Sequence, residues 1–162
     1  LAAARLVEVG VRCVEVTLNG WDTHVNNHEL QTGRIEILDP AFTALIRELK
    51  RRDLLDSTII LCGGEFGRTP RINPAGGRDH WPHGFSIALA GGGLQTGQAI
   101  GQTSPDGDKL DYDDKRNIRV ADIHATVLHA LGVDFSKEYD TPVGRPMRAS
   151  DGRVVQQLLG TT

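Results

Sequence analysis

Apolar and polar positions switch between a helical and an extended period along the chain. Leu1 to Glu8 reads as a helix, and Gly10 is placed to stop it. Val11 to Leu18, rich in β-branched residues, predicts a strand. A polar loop is expected through Gly33. Asp39-Pro40 then supplies a helix start, with aspartate as N-cap and proline at the first helical position. Phe42, Leu45, Ile46 and Leu49 give the i, i+3, i+4, i+7 stripe of an amphipathic helix, and Lys50-Arg51-Arg52 puts positive charge at its dipole's negative end.

The second half repeats the alternation. Thr58 to Cys62 and Phe85 to Ala90 are near-continuous apolar runs, the pattern of strands covered on both faces. Gly91 to Gly107 is a glycine-rich excursion, and Asp106 to Lys115 a solvated acidic loop. Ala121 to Leu131 predicts a helix with Asp122 as N-cap and Gly132 as its stop. Val154 to Leu159 predicts a short closing helix. The fold class expected is α/β, with a parallel or mixed sheet flanked by helices.

Composition narrows the function without naming it. A chain of 162 residues with 39% hydrophobic content can bury the core of one domain. A net charge of −3 from 18 basic and 21 acidic residues offers no electrostatic case for nucleic acid or an anionic membrane. No apolar run reaches the roughly 20 residues of a bilayer span. Cys13 and Cys62 fall inside predicted strands, where cysteine acts as a small buried hydrophobe. The chain opens on the back half of a helix without methionine, so a fragment beginning inside a larger domain is expected.

Chemistry gathers at two places where an apolar run enters a polar loop. This is how open α/β sheets present functional groups at the carboxyl ends of strands. The first is Asn19-Gly20-Trp21-Asp22-Thr23-His24, with His28 beyond it. Carboxylate oxygen and neutral imidazole suit hard and borderline cations. The alternative is that Asp22 caps a turn and the histidines are solvated. His24 and His28 do not form a helical zinc signature, because Val25-Asn26-Asn27 is poor helix sequence.

The second is Gly63-Gly64-Glu65-Phe66-Gly67-Arg68-Thr69-Pro70, followed by Gly77-Arg78-Asp79-His80-Trp81. Glu65 is either a metal ligand or the partner of Arg68 in a structural ion pair. Arg68 is suited to clamping an anionic group bidentately. His80, beside Asp79, is favoured as a ligand over His83, with the carboxylate fixing its second nitrogen. His124 and His129 belong to the late helix as packed or solvated residues.

Other patterns fail. Gly92 to Gln98 lacks the lysine and hydroxyl of a phosphate-cradling loop. The acidic run of Asp106, Asp108, Asp111, Asp113 and Asp114 misses the calcium-loop spacing, since Leu110 stands where a ligand is needed. No Gly-x-Ser-x-Gly elbow occurs.

Taken together, Gly20 to His24, Gly64 to Pro70 and Gly77 to His80, with Ala90 to Gly93, Asp122 to Thr126 and Gly144-Arg145-Pro146, resemble the bacterial family called domain of unknown function 1501. That family is similar to the alkaline phosphatase and sulfatase superfamily. The resemblance covers nearly the whole chain. It implies that residues 1–162 are the C-terminal portion of a single alkaline-phosphatase-like α/β domain. The implied activity is metal-dependent hydrolysis of phosphate or sulfate esters, small-molecule or glycan. The cofactor would be a divalent ion: zinc, calcium, magnesium or manganese.

By the same resemblance Asp22, His24, Glu65 and His80 are the metal ligands, and Arg68 stabilises charge on the transferred group. Phe66 stands where those enzymes carry a histidine, so the resemblance does not extend to a full two-zinc site. The sulfatase cysteine motif is absent. The family's twin-arginine signals imply an exported protein. Two other roles fit the same pattern: a non-catalytic surface module that keeps the fold, and a phosphomutase-like phosphoryl transferase.

Overall fold

The computed structural model describes residues 1–109 and 117–160. Helix α1 spans Ala2–Glu8, α2 Asn27–Arg51 and α3 Val120–Ala130. The strands are β1 Ile59–Cys62, β2 Gly67–Arg68, β3 His80–Trp81, β4 Ala88–Gly91, β5 Glu138–Asp140 and β6 Pro146–Arg148. Single 3₁₀ turns occupy Leu55–Ser57 and Gln156–Leu158, the second inside the expected closing helix. The class is mixed α/β, but each sheet has two strands and is antiparallel: β1 with β4, β2 with β3, β5 with β6.

The apolar stripe of α2 forms the main core as its spacing requires. Leu49 is buried with Ala4 of α1 and Ile60 of β1, and Val7, Phe42, Leu45, Ile46, Leu54, Leu55 and Ala90 pack around them. Arg52, just past α2, pairs with both Glu48 and Glu8 and so ties the ends of α1 and α2. A second cluster sits under α3. Asp122 accepts the Arg119 backbone N–H at 2.9 Å and the Arg153 backbone N–H at 2.9 Å. The buried Thr126 hydroxyl donates to the Asp122 carbonyl at 2.6 Å and accepts the Val155 N–H at 2.9 Å, fastening the C-terminal segment to the helix.

Several expectations are corrected. Val11 to Leu18 joins no strand among the described residues, and Val16 is 77% exposed. Strand composition is half of the requirement; a ladder also needs a partner, and among the described residues none pairs with this segment. Cys13 is accordingly exposed and not buried, while Cys62 is half-buried. The parallel pairing expected of the apolar runs is absent among the described strands. β4 also begins three residues later than the run at Phe85 suggests, and Phe85 is exposed.

The long helix starts twelve residues before Asp39, and Pro40 lies within it. Proline removes one N–H and leaves the carbonyl four residues back without its partner. Glu36 and Pro40 are both exposed, so water can take that carbonyl. The polar stretch expected as loop is helical because its first turn is held from outside: Asn26 and Asn27 donate their backbone N–H groups to the carbonyls of Ala75 and Gly76. At α3 the N-cap is Arg119, and Asp122 sits in the first turn, reaching back to the cap's N–H. Gly132, at φ +74°, ends that helix as expected.

Asp106 accepts from the Ser104 hydroxyl and the Asp108 N–H, a local turn. Leu110, Asp111, Asp113, Asp114 and the end of the expected acidic loop at Lys115 lie outside the described residues. No helix among the described residues is long and apolar enough to cross a membrane.

Candidate metal centre

Three segments build one polar cluster. The first, residues 21–24, is held by the opening turns of α2. Gln31 donates to the Trp21 carbonyl at 2.9 Å and to the Thr23 hydroxyl at 2.9 Å, and that hydroxyl donates to Asn27 at 2.7 Å. Thr23 is therefore buried while its neighbours Asp22 and His24 project outward. The second and third segments are the paired strands β2 and β3, whose register sets Arg68 opposite His80.

The loop between β2 and β3 docks on the first segment through its backbone. Arg78 donates to the Thr23 carbonyl at 3.2 Å, and Val25 bridges Gly76. Gly77 lies so close that a Cβ there would stand 1.8 Å from the His24 carbonyl oxygen, which only glycine permits.

The result is a triangle of atoms able to ligate a metal ion. Asp22 Oδ1 lies 3.0 Å from His24 Nε2 and 3.0 Å from His80 Nε2, and the two imidazole nitrogens are 3.2 Å apart. Four donors around a zinc ion at about 2.0–2.1 Å stand roughly 3.4 Å from one another, so these edges are within a few tenths of an ångström of a shared coordination sphere. The donor set, two imidazoles and one carboxylate, suits a borderline divalent cation better than calcium or magnesium, which prefer all-oxygen shells. All three residues are exposed at the surface, so the point they surround is open to solvent.

Electrostatics reinforce the cluster. Arg68 donates to Asp22 through Nη2 and to the Arg78 carbonyl through Nη1 at 3.1 Å, with Nη1 also 3.4 Å from His24 Nε2. The hydrogen bond from Arg68, then that from His80, holds the Asp22 carboxyl far below the ordinary carboxylate range. Asp79 is also shifted down, first by its hydrogen bond with His24 and then by Asn73. Both carboxylates are charged at neutral pH.

Of the residues expected from sequence, Asp22, His24, His80 and Arg68 come together. Glu65 does not join them: it is exposed, and among the described residues it forms no ion pair, with Arg68 or any other group. The half-buried Phe66 turns toward the cluster instead, its ring 4.6 Å from that of His80. His83 packs edge-on against Trp81 at 6.0 Å, His28 lies in the first turn of α2, and His124 and His129 are on α3.

Asp79 contacts His24 Nδ1 at 3.1 Å and not its chain neighbour His80, a correction to the expected pairing. Asp79 lies just before β3, and its carboxylate is engaged by His24 Nδ1 and by Asn73 Nδ2 at 3.2 Å. Asn73 joins the site beyond the residues expected from sequence, donating to the His24 carbonyl and to Asp79. The signal was present in Asn73-Pro74-Ala75-Gly76-Gly77, a turn sequence whose asparagine is suited to bonding the backbone ahead of it. Beside the cluster opens a cavity of about 530 Å³ lined by Thr69, Arg71, Ile72, Asn73, Pro74 and Asp79.

No curated protein and no solved structure matches this chain. Residues 1–159 do match one family along almost their whole course, and the chain belongs to that family, described as "Protein of unknown function (DUF1501)".

Proposed function

We propose that this chain carries the metal-holding part of a hydrolase acting on phosphate or sulfate esters, within an alkaline-phosphatase-like domain. The observation that carries the reading is the convergence of Asp22 Oδ1, His24 Nε2 and His80 Nε2 beside the Arg68 guanidinium. Asp22, His24 and His80 would hold the ion, with zinc favoured by the imidazoles. When bound, it would polarise the ester and lower the pKa of a nucleophile or water.

The remaining work falls to the chain's own groups. Arg68 engages Asp22 and the Arg78 carbonyl with two of its five N–H donors, leaving others for an anionic oxygen of the ester. The cavity lined by Arg71 and Ile72 gives the non-reacting part of a small-molecule or glycan ester a place to sit. Glu65 has no assigned role in this reading. An exported location belongs to the same proposal, through the family resemblance.

The test is metal analysis of the purified chain beside Asp22→Ala and His80→Ala, together with a screen of phosphate and sulfate monoesters and diesters. Metal content that is unchanged in both variants ends the proposal. A second reading is favoured by the Arg68–Asp22 contact: a non-catalytic module in which that pair is structural. It expects no metal-dependent turnover on any ester and a loss of stability in Asp22→Ala.

A further inference from the structure

Two of the polar side chains lining the cavity beside the cluster are already committed to the chain itself. The Asn73 amide gives its N–H donors to the His24 carbonyl at 3.0 Å and Asp79 Oδ1 at 3.2 Å. Its oxygen takes the backbone N–H groups of Ala75 at 3.0 Å and Gly77 at 2.9 Å, which fills its capacity. The Thr69 hydroxyl donates to the Arg71 carbonyl at 2.8 Å and accepts the Asp79 N–H at 3.1 Å. Thr69 thereby fixes the backbone of Arg71 relative to that of Asp79.

What remains for a ligand is a short inventory. The Arg71 side chain is exposed and, among the described residues, forms no hydrogen bond or ion pair. The neighbouring arginines are engaged: Arg68 with Asp22 and the Arg78 carbonyl, Arg78 with the carbonyls of Thr69 at 2.7 Å and Pro70 at 2.6 Å. Asp79 meets His24 and Asn73 through Oδ1 alone, so its Oδ2 has no partner among the described residues. Ile72 and Pro74 add exposed apolar surface. Arg71 and Asp79 therefore line one cavity without pairing with each other.

A guanidinium only donates and an ionised carboxylate only accepts, so the ligand must do the reverse of each. A hydroxyl does both. A ring with several hydroxyls meets both groups at its edge while its C–H face covers Ile72 and Pro74. A second anionic group would suit Arg71 but face the like charge of Asp79. A purely apolar ring would strip water from both charged groups and answer neither. A small zwitterion would answer both but leave the apolar pair in water.

We infer that Arg71 is a specificity-determining residue, and that the alcohol part of the ester is a neutral polyhydroxylated ring held between Arg71 and Asp79. The ester rests on the proposed hydrolase; the binding of such a ring by the cavity does not. Asp79 touches His24 Nδ1 at 3.1 Å, so one imidazole ring separates the held alcohol from the point that the three ligating atoms surround.

The experiment has a binding arm and a turnover arm, run on wild type, Arg71→Met and Arg71→Lys, with circular dichroism confirming their folding. In the first, backbone amide NMR shifts are followed on titration with methyl glucoside, methyl galactoside and methyl mannoside. At least one sugar should move the signals of Arg71, Ile72 and Asp79. Arg71→Met should weaken that binding about tenfold, and Arg71→Lys should recover only part, because an ammonium lacks the planar fork. In the second, the monophosphate of the best-bound sugar at its primary hydroxyl is compared with phenyl phosphate, O-phosphoserine and phosphoglycerate, and each with its sulfate counterpart. The sugar ester should be preferred, and Arg71→Met should cut its preference over the phenyl ester about tenfold, through KM and not kcat.

The inference is overturned if none of the three sugars moves those signals, or if folded Arg71→Met binds as wild type does. A preference for the serine or glycerate ester over the sugar ester overturns it as well. Sugar binding that depends on Arg71, without turnover of any ester, counts against the hydrolase reading and leaves Arg71 as a sugar-binding residue.

Discussion

Replacing Gly77 with alanine should take the site apart while leaving the distant core intact. The added Cβ would meet the His24 carbonyl oxygen at 1.8 Å, the carbonyl carbon at 1.9 Å and the Val25 nitrogen at 2.5 Å, all of them backbone atoms that cannot rotate away. Restoring an ordinary contact of roughly 3.3 Å requires the two segments to part by about 1.5 Å. At that separation four hydrogen bonds exceed bonding distance: Asn26 N–H to Ala75, Asn27 N–H to Gly76, Arg78 N–H to Thr23, and Asn73 Nδ2 to His24.

At about 0.5–1.5 kcal/mol each, with partial recovery through water, stability should fall by roughly 2–4 kcal/mol. That is a large share of the 5–15 kcal/mol typical of a domain. The same displacement pulls His80 away from Asp22 and His24, so zinc binding should be lost. The assay is urea unfolding followed by circular dichroism, with zinc titration of the folded protein. Gly64→Ala is the control, since a Cβ there meets nothing within 4 Å. If Gly77→Ala matches Gly64→Ala in midpoint and zinc affinity, the docking of the loop against residues 23–27 is wrong.

Three further outcomes can be checked. The hydrogen bonds of Arg51 and Arg52 lower Glu48 from 4.5 to about 2, so its contribution to stability is complete above about 4.5 and disappears as pH falls toward about 2; Glu48→Gln should flatten that acid limb of the unfolding free energy. Thr126→Val keeps the shape but leaves the Val155 N–H without its acceptor in a buried position; a cost of about 1–3 kcal/mol is expected in denaturant unfolding, and a neutral result would remove this tie from the account. Leu49→Ala, at a site 1% exposed, should cost about 2–5 kcal/mol, whereas Leu61→Ala, at 50% exposed, should cost far less in the same assay.

The sequence is legible where local physics decides the outcome. The Phe42 to Leu49 stripe lines the core, the Ile59–Cys62 run is a strand, and Gly132 takes the left-handed conformation that ends α3. What failed depended on distant partners. Val11 to Leu18 has the composition of a strand but no pairing neighbour among the described residues, and the helix begins at Asn27 because Ala75 and Gly76, far along the chain, satisfy its first N–H groups. The same division holds at the site. Asp22, His24, Arg68 and His80 were legible as residue types in polar loops, whereas the partner of Asp79 and the orientation of Phe66 in place of Glu65 are set by how two loops pack.

The cluster joins positions 22 and 24 to position 80, separated by 56 residues between the histidines. Whatever binds all three side chains at once closes a loop of that length and removes chain freedom from the unfolded ensemble. A covalent link over such a span is worth about 4 kcal/mol by loop-closure reasoning, which sets the scale for a reversible clasp. Occupancy of the cluster and the melting temperature should therefore rise together, and a thermal-shift series against candidate ions would report on the site before any substrate is known.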